Sequence, residues 1–168
     1  MTRVCAVTGH REIAEDKRRY VEYALFREAV TALSKGYTHF ISGFSDGVDL
    51  EFARIIVLAK EILLPNLKAE LPPVTLEAAL PYRDRLKTEN PMFHELLEKC
   101  DIITYTGEEY HRGCFHVRNS YMVDKCDRLI AVFDGRSESG TAQTIKLAEK
   151  QNREIALIYI SSDEAMRV

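Results

Sequence analysis

The sequence lacks close cysteine pairs and long apolar runs. Its four cysteines are widely scattered, with no close pair of metal-ligand spacing: Cys5, Cys100, Cys114 and Cys126. Such scattering favours reduced thiols over a disulfide framework, so we expect a cytoplasmic protein. The longest apolar run, IIVLA, is far too short to span a bilayer, and the N-terminus lacks the apolar stretch of a signal peptide. We therefore expect no membrane partner.

An excess of basic charge is also missing. Lysine and arginine together number 23 against 26 aspartates and glutamates, which gives a net charge of −3. Sequence-independent binding of nucleic acid depends on positive side chains that neutralise phosphates. The basic cluster Lys17, Arg18 and Arg19 lies in a helical stretch, where we expect it to be solvated, and no stripe of aromatic and basic residues is evident. These features predict against nucleic acid as a partner.

The pattern that is present alternates strands with helices. Apolar, β-branched runs predict six strands: VCAVT, THFIS, VTLEAAL, DIITYT, RLIAVFD and EIALIYI. The first helical stretch, about Glu15 to Lys35, has apolar residues near helical spacing, namely Tyr20, Ala24, Ala29, Val30 and Leu33. The alternation predicts an α/β fold, a Rossmann-like three-layer α/β/α sandwich with a mostly parallel sheet. The length of 168 residues favours a single domain over residues 1–168.

Three strand-to-helix loops carry glycine together with polar side chains. Parallel sheets bind ligands at this carboxyl edge. The loop residues are Thr8, Gly9, His10 and Arg11 after the first strand, Gly43, Asp46, Gly47 and Asp49 after the second, and Asp134, Gly135, Ser139, Gly140 and Thr141 after the fifth. Helix N-termini present unpaired N–H groups to phosphate, and glycine lets the phosphate approach them. The loops together predict a nucleotide pocket, in which Asp46 and Asp49 suit ribose hydroxyls or a base edge.

The same loops have an ordinary structural interpretation. Glycine-bearing turns precede helices in most α/β proteins, and Asp49 could be a helix-capping residue. The chain has neither the Gly-x-Gly-x-x-Gly dinucleotide fingerprint nor a Walker-type phosphate loop. The ligand hypothesis therefore depends on the convergence of all three loops.

The segment YHRGCFHVRNSYMVDKC adds a helix with Arg118 and Asn119 directed toward the same edge. An arginine fork suits a phosphate or carboxylate, and the alternative is a surface arginine paired with an acid. The residues His111, Cys114 and His116 are one short of a zinc ligand set, and their spacing matches no standard motif. We therefore predict no metal site, and we expect Cys114 to be a small buried residue.

Four segments together resemble the YpsA-like family: VTGHRE, ISGFSDGVDLEFA, GCFHVRNSYMVDKCDRLIAVFDG and SGTAQT. That family belongs to the SLOG superfamily, which also includes the LOG phosphoribohydrolases and the DNA-processing protein DprA. The resemblance extends from Val4 to about Ile160. It implies a Rossmann-like fold that binds a nucleotide or nucleotide-derived ligand, as a sensor or regulatory protein that requires no cofactor. It also implies a pocket that includes Gly9, Arg11, Gly43, Gly47, Asp49, Arg118, Gly140 and Thr141. We further expect a homodimer.

The LOG relatives suggest an alternative, enzymatic function. Arg118 and Met122 match their Arg-x-x-x-Met helix, and Gly140 and Thr141 match the end of their glycine-rich loop. The glutamate that works with the arginine in those enzymes falls at Thr144, which cannot carry its charge. A phosphoribohydrolase that cleaves the N-glycosidic bond of a nucleoside 5′-monophosphate needs a carboxylate or activated water. The catalytic candidates are therefore Arg118 with Asp49 or Glu51.

Overall fold

The structure is a computed structural model that describes residues 1–68 and 70–160, so the other positions of the expected domain lie outside the described residues. Its strands are β1 Arg3–Thr8, β2 Tyr37–Ser42, β3 Thr75–Leu80, β4 Ile102–Tyr105, β5 Arg128–Phe133 and β6 Glu154–Tyr159. Its helices are α1 Arg18–Ser34, α2 Val48–Leu58, α3 Leu64–Leu67, α4 Pro91–Glu98, α5 Cys114–Lys125 and α6 Gly140–Lys150. A π-helical turn, Ala59–Leu63, joins α2 to α3.

All six predicted strands are confirmed, and they form one sheet in the order β4-β3-β2-β1-β5-β6. Every neighbouring pair is parallel, so the sheet is wholly parallel. Parallel strands need long crossover connections, which here are mostly helical. The Rossmann-like α/β fold expected from the alternation of strands and helices is therefore confirmed.

Two apolar clusters cover the two faces of the sheet. On one face, Leu25 of α1, Phe52 of α2 and Phe93 of α4 pack in the larger cluster. On the other face, Met122 of α5 and Ala148 of α6 belong to the smaller cluster. Eight of the 11 residues of α2 are buried, so this helix is a central part of the core, as its all-round apolar sequence indicated.

The buried side of α1 differs from the side that its spacing suggested. Of the apolar residues that recur near helical spacing, Ala29 and Leu33 are buried, whereas Tyr20 and Val30 are exposed. The helix has apolar residues on two sides, and only one of them faces the sheet. Hydrophobic periodicity therefore located the helix without identifying all of its buried residues.

The direction of the strand order changes beside β1, which pairs with both β2 and β5. At such a switch point the loops after the two central strands separate and leave a crevice at the carboxyl edge of the sheet. The fold thus positions the loops after β1, β2 and β5 around one site. None of the helices in the described ranges is long and apolar enough to cross a membrane.

Candidate functional site

A hollow of about 280 Å³ lies at the carboxyl edge of the sheet, near the junction of β1 and β5. The predicted residues that line it are Thr8, Gly9, His10, Arg11, Asp49, Arg118, Asn119, Ser139, Gly140 and Thr141. They come from all three predicted loops and from α5, so the structure brings these segments together. We call this hollow the switch-point pocket.

The loops after β1 and β2 are locked against each other. The amide of Val48, the first residue of α2, donates to the carbonyl oxygen of His10 at 3.2 Å. Gly47 has φ +79°, and a Cβ there would lie 2.5 Å from the same oxygen. A Cβ on Gly9 would lie 2.5 Å from the side chain of Val48. These two glycines therefore serve loop–loop packing, so phosphate approach is not needed to explain them.

Arg118 is an internal anchor, with only 4% of its surface exposed. Its Nη1 donates to the carbonyl oxygens of Gly43 at 2.5 Å and Ala79 at 3.3 Å, its Nη2 to Ser45 Oγ at 3.3 Å, and its Nε to Asn119 Oδ1 at 2.8 Å. A guanidinium has five N–H donors, so these four bonds leave one for a ligand. Arg118 therefore joins the ends of β2 and β3 to α5 while facing the pocket, and it is not a surface arginine.

Asp49 is the buried carboxylate of the pocket, with 7% of its surface exposed. Its Oδ2 accepts the Ser45 amide at 3.3 Å, and its backbone oxygen accepts the Ser42 hydroxyl at 2.8 Å. Asp49 does not cap α2, whose N-cap is Gly47. Burial raises the pKa of Asp49 to about 6, although the nearby positive charge of Arg118 opposes this rise. The group can therefore bind or release a proton near neutral pH.

Gly43 allows Arg118 and Asp49 to come together. A Cβ at this position would lie 2.6 Å from Arg118 Nη1 and 2.8 Å from Asp49 Oδ2. Gly43 does not line the pocket, but only the absence of its side chain leaves room for both charged groups. Its role is thus steric, behind the ligand-facing surface.

His10 links the loop after β1 to the loop after β5. Its Nε2 lies 3.1 Å from the Asp134 amide nitrogen and 3.2 Å from Asp134 Oδ1, and its Nδ1 lies 3.3 Å from Arg136 Nη2. Burial lowers the pKa of His10; Asp134 opposes this effect and Arg136 adds to it. A neutral imidazole has one acceptor nitrogen, so it can accept from the Asp134 amide or from Arg136, but not both.

The N-terminus of α6 lies at the pocket, and Gly140 and Thr141 of its first turn line it. Ser139 caps the helix by accepting the Ala142 amide at 3.1 Å, which leaves the amides of Gly140 and Thr141 available. A Cβ on Gly140 would meet nothing within 4 Å. In contrast, the first amide of α2 is bonded to His10, and α1 begins only at Arg18.

Five predicted residues lie outside the lining of the pocket besides Gly43. Asp46 accepts from Asn90 Nδ2 at 2.8 Å, and Glu51 forms an ion pair with Arg54 beside a neighbouring hollow. Gly47 lines that neighbouring hollow as well, and Gly135 lies beside Tyr159. Asp134 also lies outside the lining but holds Arg136 through its carboxylate at 2.7 Å. Of the two candidate carboxylates, only Asp49 shares the pocket with Arg118.

Four lining residues were missed in the sequence: Val7, Ser45, Phe115 and Arg136. The ring of Phe115 lies beneath Arg11, with the guanidinium carbon 4.5 Å from its centroid. Ser45 and Arg136 belong to the glycine loops already identified, so their position was a usable signal. Phe115 contacts Arg11 only through the fold, because the two residues are far apart in the chain.

Thr144, where the resemblance to the LOG enzymes would place their glutamate, is buried. Its hydroxyl donates to the carbonyl oxygen of Gly140 at 2.8 Å, within its own helix. Cys114 is buried, as expected. Across residues 1–68 and 70–160, no group of three or more His, Cys, Asp or Glu side chains could hold a metal ion.

The fold and the pocket define a Rossmann-like protein with a small polar hollow at the switch point of a parallel sheet. The family described as DNA recombination-mediator protein A matches residues 1–167. The chain belongs to that family, and with it to the SLOG superfamily.

Individual relatives are distant. UPF0398 protein BH1768 of Halalkalibacterium halodurans is 20% identical over 141 residues, which cover 80% of this chain and 70% of that protein. DNA processing protein A of Streptococcus pneumoniae has a TM-score of 0.61 at 20% identity, covering 92% of this chain and 49% of that one. The Helicobacter pylori protein of the same name has a TM-score of 0.60 at 20% identity, covering 91% and 63%. The chain thus spans about half the length of the pneumococcal protein.

The Helicobacter structure describes a single-stranded DNA binding mode of that protein. The prediction against nucleic acid as a partner, drawn from the net charge of −3, is therefore wrong. Net charge sums over the whole surface, whereas contact with a strand depends on the charges of one local surface.

Proposed function

We propose that the switch-point pocket binds a nucleotide or nucleotide-derived small molecule and that the protein acts as a sensor or regulator. The observation that carries this proposal is the convergence of three loops and the N-terminus of α6 on one hollow of about 280 Å³. That volume is close to the lower end of the range for small-molecule sites and suits a sugar phosphate.

The polar groups suggest how such a ligand would lie. The free amides of Gly140 and Thr141, the positive end of the α6 dipole and Arg136 suit a phosphate. Asp49 lies in the same pocket and would repel a phosphate when it is ionised, so it suits a ribose hydroxyl or a base edge. The remaining N–H of Arg118 is available to the ligand without breaking the anchor.

Thermal unfolding with a panel of nucleotides tests the proposal. A ligand that binds only the folded state raises Tm. Arg118→Ala removes the anchor between β2, β3 and α5, so its loss of binding would not separate ligand contact from folding. Gly140→Val is sharper, because Gly140 lines the pocket and a Cβ there meets no protein atom within 4 Å. We expect Gly140→Val to keep the Tm of the free protein but to lose the ligand-induced shift.

The matched control is Gln143→Val, which places the same side chain at an exposed position of the same helix. This variant should retain the shift. If no nucleotide changes Tm, or if both variants respond like the wild-type chain, the pocket is not the nucleotide site.

A second candidate function is hydrolysis of the N-glycosidic bond of a nucleoside 5′-monophosphate. The observation in its favour is Asp49, a buried carboxyl with a pKa of about 6 in the pocket of Arg118. Such a group could accept a proton from water during the reaction. Chromatography would detect the free base. Asp49→Asn should abolish its release, while Glu51→Gln should not, because Glu51 is paired with Arg54 outside the pocket.

Four further expectations accompany the proposal without a test so far: the YpsA-like subfamily, a cytoplasmic location, the homodimer and the lack of a required cofactor. Binding of single-stranded DNA, stated for the Helicobacter relative, would be a separate activity of this chain. It would need a surface longer than the small switch-point pocket.

A further inference from the structure

We propose that His10 and Arg136 form a ligand-responsive charge switch that makes the switch-point pocket selective for doubly charged anions. When such an anion binds, Arg136 turns from His10 toward it, and His10 takes up a proton from solvent and becomes a second cationic contact. Both residues line the pocket. This inference rests on the proposed function, because it concerns the same pocket, and it adds the charge of the group that the pocket selects.

The ring of His10 faces more hydrogen-bond donors than a neutral imidazole can accept. Its Nε2 lies 3.1 Å from the Asp134 amide nitrogen, and its Nδ1 lies 3.3 Å from Arg136 Nη2. The amide and the guanidinium can only donate, whereas a neutral ring has one acceptor nitrogen and one N–H. Either tautomer therefore turns an N–H of the ring toward another donor, so one of the two contacts is unfavourable.

Arg136 is the partner of the ring that can move. His10 is buried, with 8% of its surface exposed, and its carbonyl oxygen accepts the Val48 amide at 3.2 Å. The Asp134 amide belongs to the backbone directly after β5. The side chain of Arg136 is 67% exposed, and its Nε donates to Asp134 Oδ2 at 2.7 Å. Only the end of this exposed side chain has to move to remove the contact at Nδ1.

An anion changes which hydrogen bonds the ring can form. Once Arg136 donates to the anion, Nδ1 of His10 can carry an N–H that donates to the same anion. Asp134 Oδ1 lies 3.2 Å from Nε2, so a proton on Nε2 also has an acceptor. The bond from the Asp134 amide is then exchanged for a charge-assisted bond to the Asp134 carboxylate at nearly the same distance. Both nitrogens of an imidazolium are thus paired, which is not the case while Arg136 lies beside Nδ1.

The charges around the ring act in the same direction. Burial lowers the pKa of His10, the Asp134 carboxylate opposes this effect and Arg136 adds to it. From the other elements, the uncharged ring of Phe133 in β5 lies 6.3 Å away, and α2 contributes the Val48 amide. Moving the guanidinium toward an anion removes a like charge from the ring and brings an opposite charge near it, so the pKa of His10 rises on binding.

Selectivity for charge follows from the proton that His10 gains. Arg136 and an imidazolium attract a dianion more strongly than a monoanion, because the second negative charge interacts with both cations. The pocket should therefore favour a terminal phosphate or a sulfate over a monovalent anion such as chloride.

The experiment has to observe the imidazole itself, because Asp49 titrates in the same pocket. The pKa of Asp49 is about 6, and a bound anion favours its protonated form as well. Nuclear magnetic resonance of the imidazole carbon–proton signals follows each of the five histidines separately. His10→Gln identifies the signal of His10 by its loss. The probe is sulfate, which keeps its two charges across the range of about pH 5 to 8 in which histidine titrates, compared with sodium chloride of the same ionic strength.

Sulfate should raise the pKa of His10 by about 0.5 or more relative to chloride. His94 and His111 are exposed and lie outside the lining of the pocket, so they serve as internal controls. Both should titrate alike in the two salts.

Three variants separate the switch from general effects of charge. Arg136→Ala should raise the pKa of His10 in chloride, because a like charge is lost, and should reduce the further rise in sulfate. Lys146→Ala removes an exposed positive charge from α6 and should behave like the wild-type chain. Asp49→Asn should keep the sulfate-induced rise, because the proton that is observed resides on the imidazole.

The proposal is overturned if sulfate and chloride give the same pKa for His10, or if Arg136→Ala leaves both values unchanged. It is also overturned if Lys146→Ala reduces the rise as much as Arg136→Ala does. Failure of the switch can be told apart from failure of the proposed function. If nucleotides raise Tm while sulfate leaves His10 unchanged, the pocket binds nucleotides without this switch. If sulfate raises the pKa of His10 while no nucleotide raises Tm, the switch remains and the nucleotide assignment is wrong.

Discussion

The two buried charged residues of the pocket, Arg118 and Asp49, have different roles. Four of the N–H groups of Arg118 donate to protein atoms, and two of these bonds go to backbone carbonyl oxygens at the ends of β2 and β3. Asp49 accepts a hydrogen bond from the Ser45 amide of the preceding loop, and the nearby positive charge of Arg118 acts to lower its pKa. Removing one buried partner leaves the other uncompensated, so substitutions here affect stability as well as binding.

The pKa of Asp49 predicts a specific dependence of stability on pH. The unfolded carboxyl releases its proton near its ordinary pKa of 3.8, whereas the folded one keeps it to about pH 6. Between these values the unfolded state binds fewer protons, so stability falls as pH rises. Relative to Asp49→Asn, the wild-type chain should lose roughly 3 kcal/mol of unfolding free energy across this window.

Urea unfolding of both proteins at several pH values between about 4 and 7.5 measures this difference. The comparison with Asp49→Asn removes titrations common to both chains. A difference that stays constant across the window would mean that Asp49 has an ordinary pKa in the folded protein.

Gly43 gives a second prediction for single residues. In Gly43→Ala the new methyl group must displace Arg118 Nη1 or Asp49 Oδ2, because it would lie less than 3 Å from both. We expect a loss of about 2 kcal/mol or more of unfolding free energy by chemical denaturation. Gly140→Ala is the matched control, since its methyl group meets nothing within 4 Å and should change stability by at most about 1 kcal/mol. Equal effects in the two variants would contradict this steric role of Gly43.

Among the elements, α6 starts at the pocket, and Gly140 and Thr141 of its first turn line it. The sequence motif Ser139-Gly140-Thr141 indicated this start correctly, because the cap and the glycine are local features. The loop after β2 looked equivalent in sequence. The first amide of its helix, that of Val48, instead donates to the carbonyl oxygen of His10. This is a contact between two separate loops, which no local sequence pattern specifies.

Ser139→Ala tests the contribution of the α6 start. The substitution leaves the Ala142 amide without its cap, so we expect a loss of about 1 kcal/mol of unfolding free energy in urea. The control is Ser137→Ala in the same loop, where the replaced serine does not cap the helix. If both variants have the stability of the wild-type chain, the Ser139 cap does not support the α6 start.

For the whole molecule, the order of strands and helices was predictable because each of the six strands is a short apolar run between polar or helical segments. The approximate position of the pocket followed from the rule for parallel sheets. The prediction against nucleic acid was wrong because it used net charge, which is a property of the whole molecule. A net charge of −3 gives no position to any charge, so it could not exclude a local surface that contacts nucleic acid.

The position of the pocket between the β1 and β5 loops predicts how a bound nucleotide changes the whole molecule. A ligand that fills the hollow contacts loops from both halves of the sheet, so amide exchange should slow together at Gly140 and Thr141 and at His10 and Arg11. Hydrogen exchange with mass spectrometry, with the nucleotide that gives the largest Tm shift, measures this. Amides of α1, which supplies no residue to the lining of the pocket, should exchange at the same rate with and without the nucleotide. Protection confined to α6 would place the nucleotide on one half of the sheet and exclude a ligand that bridges the switch point.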